Sequence, residues 1–141
     1  MVRFLINAVE LFGIVFLRFR LLPRIWCVWL VGVNAACLFF ITHIEAQVVL
    51  GVTVLAVVAQ TLVYSRLGFT RVLGTAHILW LPMFAWMASR LDAIAADPAL
   101  GKWLAVLLAT NAVSLVIDSS DVFRFIKGER SPHYQWRLPV P

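Results

Sequence analysis

Hydrophobic residues run along this chain in four long stretches separated by short polar punctuation. The stretches are Ile25 to Thr42, Ala46 to Leu62, Val72 to Ser89 and Trp103 to about Val122. Each approaches the ~17–25 residues that an α-helix needs to cross a bilayer. None shows the alternating polarity of a barrel strand. A helix satisfies its own backbone hydrogen bonds in lipid, so helices are the expected spanning element. The intervening segments "HIE", "YSRLGFTR" and "RLDAIAADPALGK" are short, and short links make consecutive helices antiparallel neighbours. The pattern predicts an all-α integral membrane protein built as an antiparallel four-transmembrane-helix bundle over residues 23–127.

The two ends read differently. Phe4 to Leu17 is apolar but short and carries Glu10. Residues 1–22 are therefore expected to form an N-terminal interfacial amphipathic helix, with Phe4, Leu5, Phe12 and Phe16 toward the acyl chains. No cleavable leader is expected, because Asn7 and Glu10 interrupt the apolar run and two arginines follow it. Residues 128–141 hold Gly128 and three prolines and read as a non-helical tail.

Composition removes the soluble alternative. The chain is 62% hydrophobic and 13% charged, more apolar side chain than a soluble domain of 141 residues can bury. The net charge of +5 changes meaning once it is placed. Arg3, Arg18, Arg20, Arg24, Arg66, Arg71, Arg124, Lys127, Arg130 and Arg137 fall on one side of a four-span layout, and only Arg90 and Lys102 on the other. Basic residues stay in the cytoplasm, so both termini are expected there, in a bacterial-type inner membrane. This distribution points to lipid and not to nucleic acid. Arg18, Arg20, Arg24, Arg66 and Arg71 form the expected headgroup-contacting rim, each attracting anionic lipid by ~1 kcal/mol.

The candidate chemistry lies on the last span. Asn111, Ser114, Asp118 and Asp121 fall within an ~80° arc of a helix and form one polar stripe. An intramembrane carboxylate needs a partner. His77, about 8 Å into the preceding span from the same side, is the expected one for Asp118. Gln60 and Tyr64 are placed to join this polar intramembrane network. Asp121 and Arg124 are spaced for a helix-surface ion pair. Such a network either holds helices together or, as a carboxylate–histidine pair, carries a proton or ion. Asn34 is expected to bond to a neighbouring helix, Pro82 to kink the third span, and the tryptophans to sit at membrane interfaces.

Other chemistries have weaker support. Cys27 and Cys37, ~15 Å apart along a helix, cannot pair with each other and read as small apolar residues. His43 and His77 fall on opposite sides of the membrane, and a metal site of His77, His133, Asp118 and Asp121 would need the tail to fold back. No phosphate-cradling glycine loop, G-x-S-x-G or H-E-x-x-H is present. No metal, cofactor or catalytic residue is expected. A chain this short with one polar stripe leaves little room for a substrate pocket. The leading expectation is thus an accessory or scaffold subunit without catalysis, partnered by other membrane chains or by itself. The alternatives are a small oligomeric transporter or channel using Asp118 and His77, and an enzyme acting on lipid headgroups.

Overall fold

The computed structural model describes residues 2–132, 134 and 136. The chain is all-helical, 85% helix. In order it forms α1 (Val2–Gly13), a π-helical turn (Ile14–Arg18), α2 (Leu21–Ala35) with a 3-10 extension (Ala36–Phe40), and α3 (Ile44–Leu67). A nine-residue 3-10 stretch (Arg71–Leu79) follows, then α4 (Trp80–Ala88), α5 (Leu91–Ala95) and α6 (Pro98–Ile126). Among the described residues the one strand-like feature is an isolated antiparallel bridge between Phe69 and Tyr134.

Among the described residues three helices are long and apolar enough to cross a membrane: Leu21–Phe40, Ile44–Leu67 and Pro98–Ile126. The expected span from Val72 to Ser89 is instead a 3-10 run that turns α-helical at Trp80. Pro82 gives the physical reason. In a continuous α-helix its ring would press on the carbonyl of Ile78 four residues back. The winding therefore changes ahead of the proline, which falls in the first turn of α4, where a missing N–H costs nothing.

Local capping sets the other boundaries. α6 starts five residues before the expected Trp103 because Asp97 accepts from the N–H groups of Ala99 and Leu100, with Pro98 at the first helical position. α3 stops at Gly68, whose φ of 68° suits glycine and whose N–H bonds to the Tyr64 carbonyl. α2 begins at Leu21, four residues ahead of the expected start, with Pro23 in its first turn.

α1 does not stand apart from the bundle. It packs against α3, burying Leu11, and Tyr64 of α3 donates to Glu10 at 3.2 Å. Phe12 stacks on Phe16, and Val2, Leu5, Ile6 and Val9 remain exposed. The core joins Val33 and Cys37, Ala46 and Val49, Trp80, Met83 and Met87, and Leu100, Leu104 and Leu107. Between α2 and α6 the buried amides of Asn34 and Asn111 bond reciprocally at 2.9 and 3.2 Å. Trp103 donates across the same contact to the Val33 carbonyl, and Trp29 to Thr110. At the far end Arg90 pairs with Glu45 at 2.6 Å and lies over Trp86.

Candidate functional site: a polar-floored cleft between three helices

The start of α2, the start of the 3-10 stretch and the end of α6 come together at one end of the molecule. Between them a cleft of about 840 Å³ opens, walled by Phe12, Val15, Phe19, Trp26, Leu30 and Val31. Its polar lining is Gln60, Thr70, Arg71, His77, Ser114, Asp118 and Asp121, with Arg20 and Arg124 also bordering it. A chain this short was expected to leave little room for a substrate pocket. The cleft wall includes Leu11 and Phe12 of α1, which packs on α3, and Val15 of the π turn, which packs on α2.

The floor is organised by the 3-10 winding. With 3.0 residues per turn, side chains at i and i+3 eclipse. Arg71, Gly74, His77 and Trp80 therefore form one row. On an α-helix Arg71 and Trp80 would lie about 180° apart. This row faces the α6 stripe. Arg71 Nη1 bonds to Asp121 Oδ1, and His77 Nδ1 lies 2.7 Å from Asp118 Oδ2. Gly74 lies against Asp118 so closely that a Cβ there would fall 2.7 Å from the carboxyl carbon. Trp80 stacks on the imidazole with ring centres 4.1 Å apart and planes 7° off parallel.

The hydrogen-bond pattern fits one neutral histidine tautomer. Gln60 Nε2 sits 2.9 Å from His77 Nε2. An amide nitrogen only donates, so Nε2 accepts and the ring proton is on Nδ1, directed at Asp118. Both imidazole nitrogens are occupied. The arrangement fixes the ring. Cys27 also borders the cleft, whereas Cys37 is buried in the core.

Several expected site residues go elsewhere. Tyr64 bonds to Glu10 and does not reach His77. Asn111 pairs with Asn34, deeper in the bundle than the Asp118 cluster. Ser114 is buried and borders the cleft. Asp121 and Arg124 do not pair as i, i+3 neighbours: Asp121 takes Arg71, and Arg124 takes Glu129, which Arg71 also contacts at 3.0 Å. Arg24 curls back to the carbonyls of Leu17 and Phe19. Arg18 reaches the Trp136 carbonyl at 3.4 Å. Arg66 is exposed at the end of α3. Trp80 is buried at 3% exposure and is a core residue, not an interface anchor.

Glu129, beyond the end of α6, is held below the usual carboxylate range, chiefly by hydrogen bonding to Arg124 and further by Arg71. The tail folds back to the extent that Tyr134 packs on Phe19 and Phe69 beside the cleft. His133 lies outside the described residues, and among those described no three His, Cys, Asp or Glu side chains converge as a metal site would need. No family model, curated protein or solved structure matches this chain.

Proposed function

We propose that this chain is an integral membrane protein without catalysis of its own, which holds an amphipathic membrane molecule in the cleft between α2, the 3-10 stretch and α6. The observation that carries the reading is the cleft itself. It pairs an apolar wall with a polar floor whose one histidine has both nitrogens engaged. Its volume lies in the ~300–1,000 Å³ range of ligand sites. Histidine, the commonest general base, is here taken up on both ring nitrogens by Gln60 and Asp118.

The membrane setting rests on the outer surface. Phe39 is 90% exposed and Val116 71%, side chains that suit lipid and not water. The proposed layout has four crossings, with Arg71–Ala88 as the third and α1 lying along the membrane surface. It puts the termini and most basic residues on the cytoplasmic side of a bacterial-type inner membrane. A role as subunit of a larger membrane assembly or of a self-associating bundle fits the same reading.

Cys27 provides the test. Its alkylation by a maleimide can be followed by peptide mass spectrometry, with buried Cys37 as internal reference. Phospholipid added to the detergent-purified chain is expected to slow labelling of Cys27 at least severalfold. Equal labelling with and without lipid would overturn the proposal.

A further inference from the structure

We propose that the polar end of the cleft is a phosphate subsite, built by Arg20, the hydroxyl of Thr70 and the opening turn of the 3-10 stretch, which takes the headgroup of an anionic phospholipid. The inference rests on the cleft reading above and names the ligand class for it.

Three observations meet at this end. Thr70 is only 4% exposed and borders the cleft, yet its hydroxyl has no hydrogen-bond partner among the described residues. A threonine immediately before a helix ordinarily spends its oxygen on the helix N–H groups, and this one does not. A buried hydroxyl left unbonded costs free energy, so an incoming acceptor or donor is favoured there.

The 3-10 stretch begins at the next residue. Its first internal bond runs from Leu73 N–H to the Thr70 carbonyl, and among the described residues the N–H groups of Arg71 and Val72 find no backbone acceptor. Such groups project from the N-terminal end of a helix and draw anions.

Charge supplies the third observation. Arg71 and Arg124 are held by Asp121 and Glu129, and Asp118 by His77. Arg20, in the extended link between the π turn and α2, borders the cleft and has no carboxylate partner among the described residues. It is the cation with capacity to spare. A phosphodiester at this end is matched by Arg20, a hydroxyl and free N–H groups. The wall of Phe12, Val15, Trp26 and Leu30 then receives the acyl chains.

The experiment uses the full chain in mild detergent and native mass spectrometry. The probes are phosphatidylglycerol, phosphatidylcholine with identical chains, and inorganic phosphate alone. The chain is expected to retain phosphatidylglycerol in preference to phosphatidylcholine. Arg20→Gln is expected to lower that retention about tenfold, the loss of one charge-assisted hydrogen bond. Thr70→Val should weaken it, while Arg20→Lys and Thr70→Ser keep most of it. Arg3→Gln, on the exposed start of α1, should have no effect. The same elution volume as the parent chain establishes that each variant is folded.

If Arg20→Gln and Thr70→Val retain phosphatidylglycerol as the parent does, the subsite is overturned. The same holds if inorganic phosphate alone binds as firmly as the lipid, since the ligand is then the free anion. Cys27 labelling separates this failure from that of the cleft. Shielding by both lipids without preference removes the subsite and leaves the cleft. Shielding by neither removes both.

Discussion

Gly74 and Asp118 touch face to face: a β-carbon built on Gly74 would lie 2.7 Å from the Asp118 carboxyl carbon and 2.8 Å from its Cβ. The obstacle includes an atom one bond from the α6 backbone, so rotation of a flexible tip cannot relieve it. Gly74→Ala should therefore push the 3-10 stretch away from α6 and break the bond between Asp118 and His77. We expect a loss of about 1–3 kcal/mol, read as a lower melting temperature in detergent. A variant as stable as the parent would show that the two segments are not held this closely.

Asp118 accepts from His77, and a neutral acceptor can do the same. Asp118→Asn should keep the fold nearly unchanged. Asp118→Ala leaves the Nδ1–H with no acceptor in a largely buried site and should cost about 1–3 kcal/mol. Thermal unfolding of the two variants side by side checks the order. Equal losses would mean that the charge itself, and not the hydrogen bond, is what the network needs.

The Asn34–Asn111 pair is closed, each amide donating to the other in a buried setting. Removing one partner orphans the other. A double-mutant cycle with Asn34→Ala and Asn111→Ala should give a coupling of about 0.5–2 kcal/mol, with each single change nearly as harmful as both together. Additive losses would show that the amides do not act as a pair.

Glu129 ties the end of α6 to the 3-10 stretch through Arg124 and Arg71, and Arg71 also holds Asp121. Its folded carboxyl titrates below the ordinary value of 4.5, with the hydrogen bond from Arg124 as the first cause lowering it. A depressed carboxylate contributes stability above its unfolded value and loses it as pH falls through the folded one. The contribution should thus be complete near neutrality and fade below about pH 4.5. The group is fully exposed, so the effect is small. Melting temperature followed from pH 6 to 3 should fall less for Glu129→Gln than for the parent chain, and parallel curves would remove this tie.

The proposed topology rests on the arginines. Reporter fusions after Pro141 and within Asp92 to Lys102 are expected on opposite sides of the membrane, the first in the cytoplasm. A periplasmic signal at Pro141 would reverse the layout.

What could be read in the sequence follows from the physics behind each feature. The α6 stripe was legible because Asn111, Ser114, Asp118 and Asp121 obey the helical period. The level of His77 relative to Asp118 followed from axial rise counted from a common surface. The partners of Tyr64 and Arg71 were not legible, since Glu10, Asp121 and Glu129 lie 54, 50 and 58 residues away along the chain. The 3-10 winding did leave a trace: Arg71, Gly74, His77 and Trp80 recur at strict threes. Counting only the 3.6-residue period concealed it. The cleft could not be read at all, because it depends on how α1 packs on α3 and the π turn on α2.

The winding of Arg71–Leu79 also changes how far a short segment reaches. A 3-10 helix rises ~2.0 Å per residue against ~1.5 Å for an α-helix. Nine residues of the first followed by nine of the second extend ~31 Å, where eighteen α-helical residues would extend ~27 Å. Under the proposed four-crossing layout the segment thereby comes to the ~30 Å of a hydrocarbon layer with no added residues. The same overwinding that aligns arginine, glycine, histidine and tryptophan in one file serves as a spacer.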